Sequence, residues 1–345
     1  MDKTQLDMMV ARARRTIVDQ TRANTLKNLR GRQQGRFVLF HAAMSFCSQK
    51  VRATLAQRGA PFESNEMLIL GRREPDGSLV PAENFAPDYV RLRLQGRDTE
   101  EIRLVEAYSG ISSVFAAGVD PCAVPTLVDL ETANVVVDSL RICVHIDAVL
   151  PSADRLVPAD PVQLANVRRQ LNAVDRTPHP GLLYGFHPLD DQRPTPLREA
   201  MSSVYEEKLE ALNSLLAQNR DDPELVAAYR AKVAKETGGK RVRYDGEFQE
   251  SLRASTREIL FRLDADLRET PYNWLCAINV TLADIFWAVS LVRLRYLGLA
   301  SLWRDLPAID AYLERLLGLA AIQDEVISAT IASMPRSDYL TTSAT

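Results

Sequence analysis

Phe37-Val38-Leu39-Phe40-His41, followed after two alanines by Met44-Ser45-Phe46-Cys47-Ser48-Gln49-Lys50, decides how this chain is read. The first five residues are a short buried strand by composition. The next seven turn into a helix from about Cys47 to Arg58, with Val51 and Leu55 on one face and Gly59 as its stop. That places the Cys47 thiol among unpaired backbone N–H groups at the positive end of a helix, which favours thiolate over thiol. Glu66-Met67-Leu68-Ile69-Leu70 fits a second strand, so the order opens β-α-β.

Outward from this unit the pattern changes twice. Residues 71–119 are rich in Gly, Asp, Glu and Arg, and only Phe85 to Leu94 looks regular. So long a stretch inside a compact domain is functional or irregular. Val124-Pro125-Thr126-Leu127-Val128-Asp129 then reads as a strand beginning at a proline. Val135-Val136-Val137 is its hairpin partner, and Ser139 opens a helix running to about Leu150. After Asp160 the periodicity is helical, with helices expected at about 161–176, 197–218, 223–237, 247–269, 281–297 and 307–317. The division is an N-terminal helical arm at 1–35, an α/β domain at 36–151 with its insertion at 71–119, an all-helical domain at 160–325, and a tail at 326–345. The fold class is α/β plus all-α.

Composition removes several functions. The 345 residues carry a formal net charge of −3, against a general nucleic-acid surface. The basic residues of the N-terminal stretch through Arg36, namely Arg12, Arg14, Arg15, Arg22, Lys27, Arg30, Arg32 and Arg36, read as a solvated arm. Nothing resembles a signal peptide, and the longest apolar stretch, Phe286 to Leu302, is broken by Arg293 and Arg295, so no membrane span is expected. Cys47, Cys122, Cys143 and Cys276 are too far apart for a CxxC or a metal cluster, so neither a disulfide scaffold nor a metal site is expected, and a reducing cytoplasm is the simplest home.

Three stretches carry a resemblance. Ser45-Phe46-Cys47-Ser48-Gln49-Lys50-Val51-Arg52, Val124-Pro125-Thr126-Leu127 with Asp138-Ser139, and Thr281-Leu282-Ala283-Asp284 resemble the first strand–helix junction, the cis-proline strand with its acidic-serine pair, and the helix-capping motif of glutathione transferases. The likeness covers roughly residues 36–325. It implies a thioredoxin-like N-terminal domain and a glutathione-transferase-type helical C-terminal domain, with glutathione as co-substrate and a homodimer as the assembly. Glu83 to Leu92, Leu182-Leu183-Tyr184-Gly185 and Asp284 to Val289 are similar to bacterial glutathione-dependent reductive dehalogenases of chlorinated hydroquinones. The long insertion and leading arm look most like the dichlorohydroquinone branch.

The resemblance assigns roles that the residues themselves leave open. Ser45 is a donor to a bound thiol, or a plain N-cap; Ser48 is the rival hydroxyl. Cys47 is the thiol exchanger, or a small buried hydrophobe. With Gln49 and Lys50 where a second cysteine would stand, a mixed disulfide on Cys47 needs an external thiol. Lys50 holds a thiolate or anion, or is a solvent-exposed lysine. A cis Pro125 would present the backbone of Val124 to a peptide-like ligand; otherwise it begins an edge strand. Ser139 makes a carboxylate site at a helix start and Asp138 takes an ammonium, or the two merely cap the helix. Thr281 and Asp284 are structural. His41, His179, Tyr184, Phe186, His187, Trp287, Arg293 and Tyr296 are candidates for a ring pocket, with ordinary core packing as the alternative. The implied reaction is reductive dehalogenation. Its rivals are glutathione conjugation, ether cleavage, and a non-catalytic binding protein of the same fold.

Overall fold

The computed structural model describes residues 2–18, 35–96, 120–151 and 155–340. Helix α1 (Lys3–Arg14) precedes strand β1 (Phe37–His41), helix α2 (Phe46–Gln57) and strand β2 (Phe62–Glu66). Strands β3 (Arg72–Arg73) and β4 (Leu79–Val80) form a small separate hairpin, followed by α3 (Pro87–Leu94). Strands β5 (Thr126–Asp129) and β6 (Asn134–Val137) and helix α4 (Ser139–Val149) complete the N-terminal domain. The main sheet runs β2-β1-β5-β6, with β2 parallel to β1 and the other pairs antiparallel. This is the thioredoxin-like arrangement expected.

The strand after α2 falls on Phe62–Glu66, not on 66–70 as its apolar residues suggest. Gly59, at φ +60°, ends α2, and the chain returns within three residues to pair Phe62 beside Phe37. That short return sets the register ahead of hydrophobicity, so β2 takes the polar Glu63-Ser64-Asn65 into the sheet edge. On β1 the two faces separate cleanly. Phe37 and Leu39 join Leu127 and Val136 against α2 and α4, while Val38 and Phe40 join Val128, Val135 and Val137 beneath α1 and α3. A sheet covered on both faces needs apolar residues without alternation, which is why β1 reads as a continuous apolar run.

The arm at 1–35 begins with a docked helix. Leu6, Val10, Ala13 and Ile17 follow helical spacing and are buried against α3. The arm's remaining reading as a solvated basic face falls largely on residues 19–34, outside the described residues. The insertion expected at 71–119 falls partly on residues 97–119, also outside them. The described part of the insertion packs inward, with Phe85, Tyr89 and Leu92 buried.

The helical domain comprises α5 (Pro161–Asp175), α6 (His179–Tyr184), α7 (Thr195–Ser202), α8 (Val204–Gln218), α9 (Pro223–Val242), α10 (Gly246–Glu269), α11 (Leu282–Tyr296) and α12 (Pro307–Leu317). The single helix expected at 197–218 is two, broken at Ser203. Helix α11 is buried almost all round and forms the domain's axis. Its start is held by Asp284, whose carboxylate accepts from the Thr281 N–H (2.8 Å), the Thr281 hydroxyl (2.7 Å), the Leu275 N–H (3.1 Å) and the Tyr312 hydroxyl (2.7 Å). The structural role expected of Thr281 and Asp284 is visible in that geometry. Residues 326–340, read as part of a tail, are packed: a π-helical turn at Gln323–Ser328 leads to Ala329–Ser333, with Val326, Ala329 and Thr330 buried. Glu325 in that turn forms a buried ion pair with Arg52 of α2, and Gln49 donates to Thr330 Oγ1 at 2.9 Å. The C-terminal segment therefore braces the helix that carries Cys47. Among the described residues no single helix is long and apolar enough to cross a membrane.

Candidate active site

A cavity of about 420 Å³ lies between the sheet domain and the helices. Met44, Ser45, Phe46, Cys47, Val124, Leu183, Tyr184 and Lys208 are among the residues lining it. Ser45 is the N-cap of α2 and accepts from the Ser48 N–H at 3.3 Å. The capping reading of Ser45 thus holds, and the residue lies on the cavity wall. Ser48 is fully buried and accepts from the Ala42 N–H at 3.3 Å, so it faces away from the cavity's contents.

Cys47 follows on the first turn of α2. Burial pushes its thiol up from the ordinary value, while Lys50 and the Ser139 hydroxyl pull it down and Asp138 opposes them. The net direction is upward, so the depressed thiol expected from the helix start is not the resting state. In a half-buried site, desolvation of the anion outweighs the helix end. Lys50, one turn on and on the same face, is not a solvent-exposed lysine. It is 3% exposed, with its ammonium 4.3 Å from the ring centres of both Phe46 and Phe286.

The Val124–Pro125 peptide is cis, as expected, and Val124 lines the cavity. The insertion builds the support behind it. Asn84 donates to the Cys122 carbonyl at 2.8 Å, the Tyr89 hydroxyl to the Ala123 carbonyl at 2.6 Å, and Arg93 to Thr126 Oγ1 at 2.9 Å and to the carbonyls of Asp120 and Pro125. Asp138 has φ +75°, an unusual conformation outside glycine, and its carboxylate accepts from the N–H groups of Leu140 and Arg141. Asp138 is therefore the N-cap and Ser139 the first helical residue, near enough for its hydroxyl to lower the Cys47 thiol. Of the residues expected at the glutathione site, Ser45, Cys47 and Val124 line the cavity, and Lys50, Pro125, Asp138 and Ser139 lie behind its lining.

The ring-pocket candidates divide. His179, Tyr184 and Arg293 line the cavity. His179 stacks on Phe46 at 4.1 Å and pairs with the Ser290 hydroxyl at 2.9 Å; burial, then Lys50 and Arg293, hold it neutral well below the usual imidazole range. Arg293 is 3% exposed and donates to the Met44 carbonyl at 2.7 Å, just before Ser45; burial pulls it down to about 10. Trp287 and Tyr296 belong to the core, donating to Gln170 Oε1 (3.0 Å) and the Pro335 carbonyl (2.8 Å). His41 pairs with Ser64 on β2, and neither it nor Phe186 or His187 is on the cavity wall.

Sequence reasoning missed the opposite wall. Lys208 of α8 and Lys232, Lys235 and Glu236 of α9 line the cavity with Asp120, Tyr205 and Arg243. Asp120 receives Lys235 at 2.6 Å and Lys232 at 3.3 Å; Glu236 receives Lys232 at 3.2 Å and Lys208 at 3.3 Å. Burial opposes the charge on Asp120, but Lys232, Lys235 and Arg93 outweigh it and hold the carboxyl far below the usual range. The i,i+4 pair Lys232–Glu236 was the available signal, and such a pair ordinarily reads as a solvated helix face.

No family model matches the chain. The 2,5-dichlorohydroquinone reductive dechlorinase of Sphingobium indicum is 37% identical over 295 residues, covering 85% of this chain and 82% of that protein. The tetrachloro-p-hydroquinone reductive dehalogenase of Sphingobium chlorophenolicum is 25% identical over 280 residues, covering 81% of this chain and 90% of that protein. Among solved structures, the beta-etherase LigF from Sphingobium sp. strain SYK-6 matches with a TM-score of 0.53 at 21% identity, over 84% of this chain and 98% of that one, a likeness of fold alone.

Proposed function

Because the chain belongs to the 2,5-dichlorohydroquinone reductive dechlorinase family, within the glutathione transferase superfamily, we propose that it replaces C–Cl with C–H on a chlorinated hydroquinone at the expense of two glutathiones. It does so as a cytoplasmic homodimer without a metal. The observation that carries this reading is the placement of Cys47 on the same cavity wall as Ser45 and Val124, the residue before the cis Pro125.

The residues fit glutathione. The backbone of Val124, next to the cis Pro125, pairs with the peptide. The N-terminus of α4, with Ser139, takes the γ-glutamyl carboxylate, and Asp138 lies beside its ammonium. Ser45 donates to the thiolate sulfur. The thiolate adds to the chlorinated carbon of the ring's electrophilic tautomer and chloride leaves, giving an aryl thioether. Cys47, as thiolate, then attacks the glutathione sulfur. The carbon–sulfur bond breaks, its electron pair stays on the ring carbon, and that carbon takes a proton. Cys47 is left in a mixed disulfide, which a second glutathione thiolate resolves as glutathione disulfide, restoring Cys47. Lys50 and Ser139 favour the Cys47 thiolate against the cost of burial.

The test is product analysis by mass spectrometry with glutathione and 2,5-dichlorohydroquinone. The expected products are chlorohydroquinone and glutathione disulfide. In Cys47→Ser an aryl thioether accumulates and reduced product falls on the order of 10³-fold or more. A thioether as the end product of both proteins overturns the role of Cys47 in favour of conjugation.

A further inference from the structure

The lysine wall carries more positive charge than its carboxylates neutralise. Among the described residues, Lys208, Lys232 and Lys235 face Asp120 and Glu236, three ammonium groups against two carboxylates. Arg243 does not correct the balance, because its partner Glu206 is shared with Lys240. Lys208 and Lys232, each 7% exposed, are balanced by the buried Asp120 and Glu236; the surplus comes with the half-exposed Lys235, so the wall as a whole favours an anionic group beside it.

Lys208 is the member placed to receive that ligand. An ammonium has three N–H donors. One is directed at Glu236, at 3.3 Å, longer than a tight charged hydrogen bond. Its other partners among the described residues are ring faces, with Tyr184 at 4.3 Å and Tyr205 at 5.6 Å. Tyr184 also lies within electrostatic reach of Arg293, which in turn senses Cys47. The tyrosine lines the same cavity as Cys47, with Lys208 over its ring. The remaining walls are largely apolar, with Phe46, Phe85, Leu183, Val242 and Phe248. At the thiol end Arg293 is engaged by the Met44 carbonyl, so apolar walls with the lysines at the opposite end suit a flat ring bearing a single ionised oxygen there.

We propose that Lys208, supported by Lys232 and Lys235, forms an oxyanion subsite that binds the aromatic substrate as its phenolate. This rests on the hydroquinone reading of the same cavity and specifies the ionisation state and orientation in which the ring is held. The phenolate oxygen sits on Lys208, the ring lies along Tyr184, and the halogenated edge faces Ser45 and Cys47.

The test needs neither glutathione nor turnover. 4-Nitrophenol, whose neutral and ionised forms differ in visible absorbance, is titrated with pH in the presence of the intact protein. The expected result is a midpoint for the bound probe about one unit or more below that of the free probe, equivalent to about tenfold tighter binding of the phenolate than of the phenol. Lys208→Met abolishes the displacement. Lys235→Met, at a half-exposed position whose loss leaves Asp120 paired with Lys232, reduces it and serves if Lys208→Met does not fold. Thermal melting checks both variants. An undisplaced midpoint, no binding, or a displacement that survives in folded Lys208→Met or is untouched by Lys235→Met overturns the subsite. If dehalogenation persists in such a case, the subsite alone has failed and the reaction stands.

Discussion

The two sides of the cavity are made by different means. The thiol side is built mainly from backbone and short side chains: the start of α2 capped by Ser45, the cis peptide before Pro125, and the start of α4 capped by Asp138. The lysine side is built from long charged side chains on α8 and α9, meeting Asp120 from the insertion's end. A backbone site is set by local sequence and tolerates exchange of its neighbours. A charged side-chain site holds only while every partner is present, because each buried charge depends on the others.

Changes that break this contrast can be ranked. After Cys47→Ser, the largest effect is expected from Asp284→Ala. It leaves four donors around a buried position unpaired, two of them backbone N–H groups, and unsettles the start of the helix that delivers Arg293 to the Met44 carbonyl. A loss of about 4 kcal/mol is expected. Denaturant unfolding measures it, and unchanged stability would remove the structural role.

Glu236→Gln acts on the lysine side, leaving Lys208 and Lys232 with less compensation, for an expected loss of about 3 kcal/mol. Burial raises the Glu236 carboxyl, but Lys208, Lys232 and Lys235 outweigh it, so its folded value lies below the ordinary 4.5. The stability it contributes is therefore complete above about pH 4.5 and is lost as the pH falls through the lower folded value. Melting curves of the wild type should decline across that window, and those of Glu236→Gln should decline less steeply.

Lys50→Met sharpens the thiol side. Lys50 lowers a thiol that burial raises, so its removal should displace the alkylation–pH profile of Cys47 upward. An unchanged iodoacetamide profile would assign Lys50 to packing between Phe46 and Phe286 alone. The smallest effects separate the two hydroxyls. Ser45→Ala and Ser48→Ala should each cost about 1 kcal/mol, from a lost cap and a lost buried acceptor. Only Ser45→Ala should also raise the pKa of bound glutathione, followed by thiolate absorbance. An equal shift in both variants would dissolve the distinction.

These unequal origins explain what could be read in advance. Ser45 to Arg52 and Asp138-Ser139 carry their geometry in adjacent residues, so the strand–helix junction and the helix start were legible in the sequence, as was the clasp of Asp284, whereas the cis bond before Pro125 was implied by the family resemblance. Where a return had to be short, tertiary pairing prevailed, and β2 took Phe62–Glu66 over the more apolar residues that follow. The docking of α1, the packing of residues 326–340 and the support of Val124–Pro125 by Asn84, Tyr89 and Arg93 come from partners distant in sequence. The sequence by itself determined the two-domain plan and the thiol end, because capping, helix polarity and strand composition act over a few residues. Only the tertiary structure decided that Lys50 is buried, that the Cys47 thiol rests neutral, and that Lys208, Lys232, Lys235, Glu236 and Asp120 form one wall. Burial and charge neutralisation are properties of what surrounds a side chain, and those surroundings are assembled from segments more than 100 residues apart, as in the contact of Asp120 with Lys232.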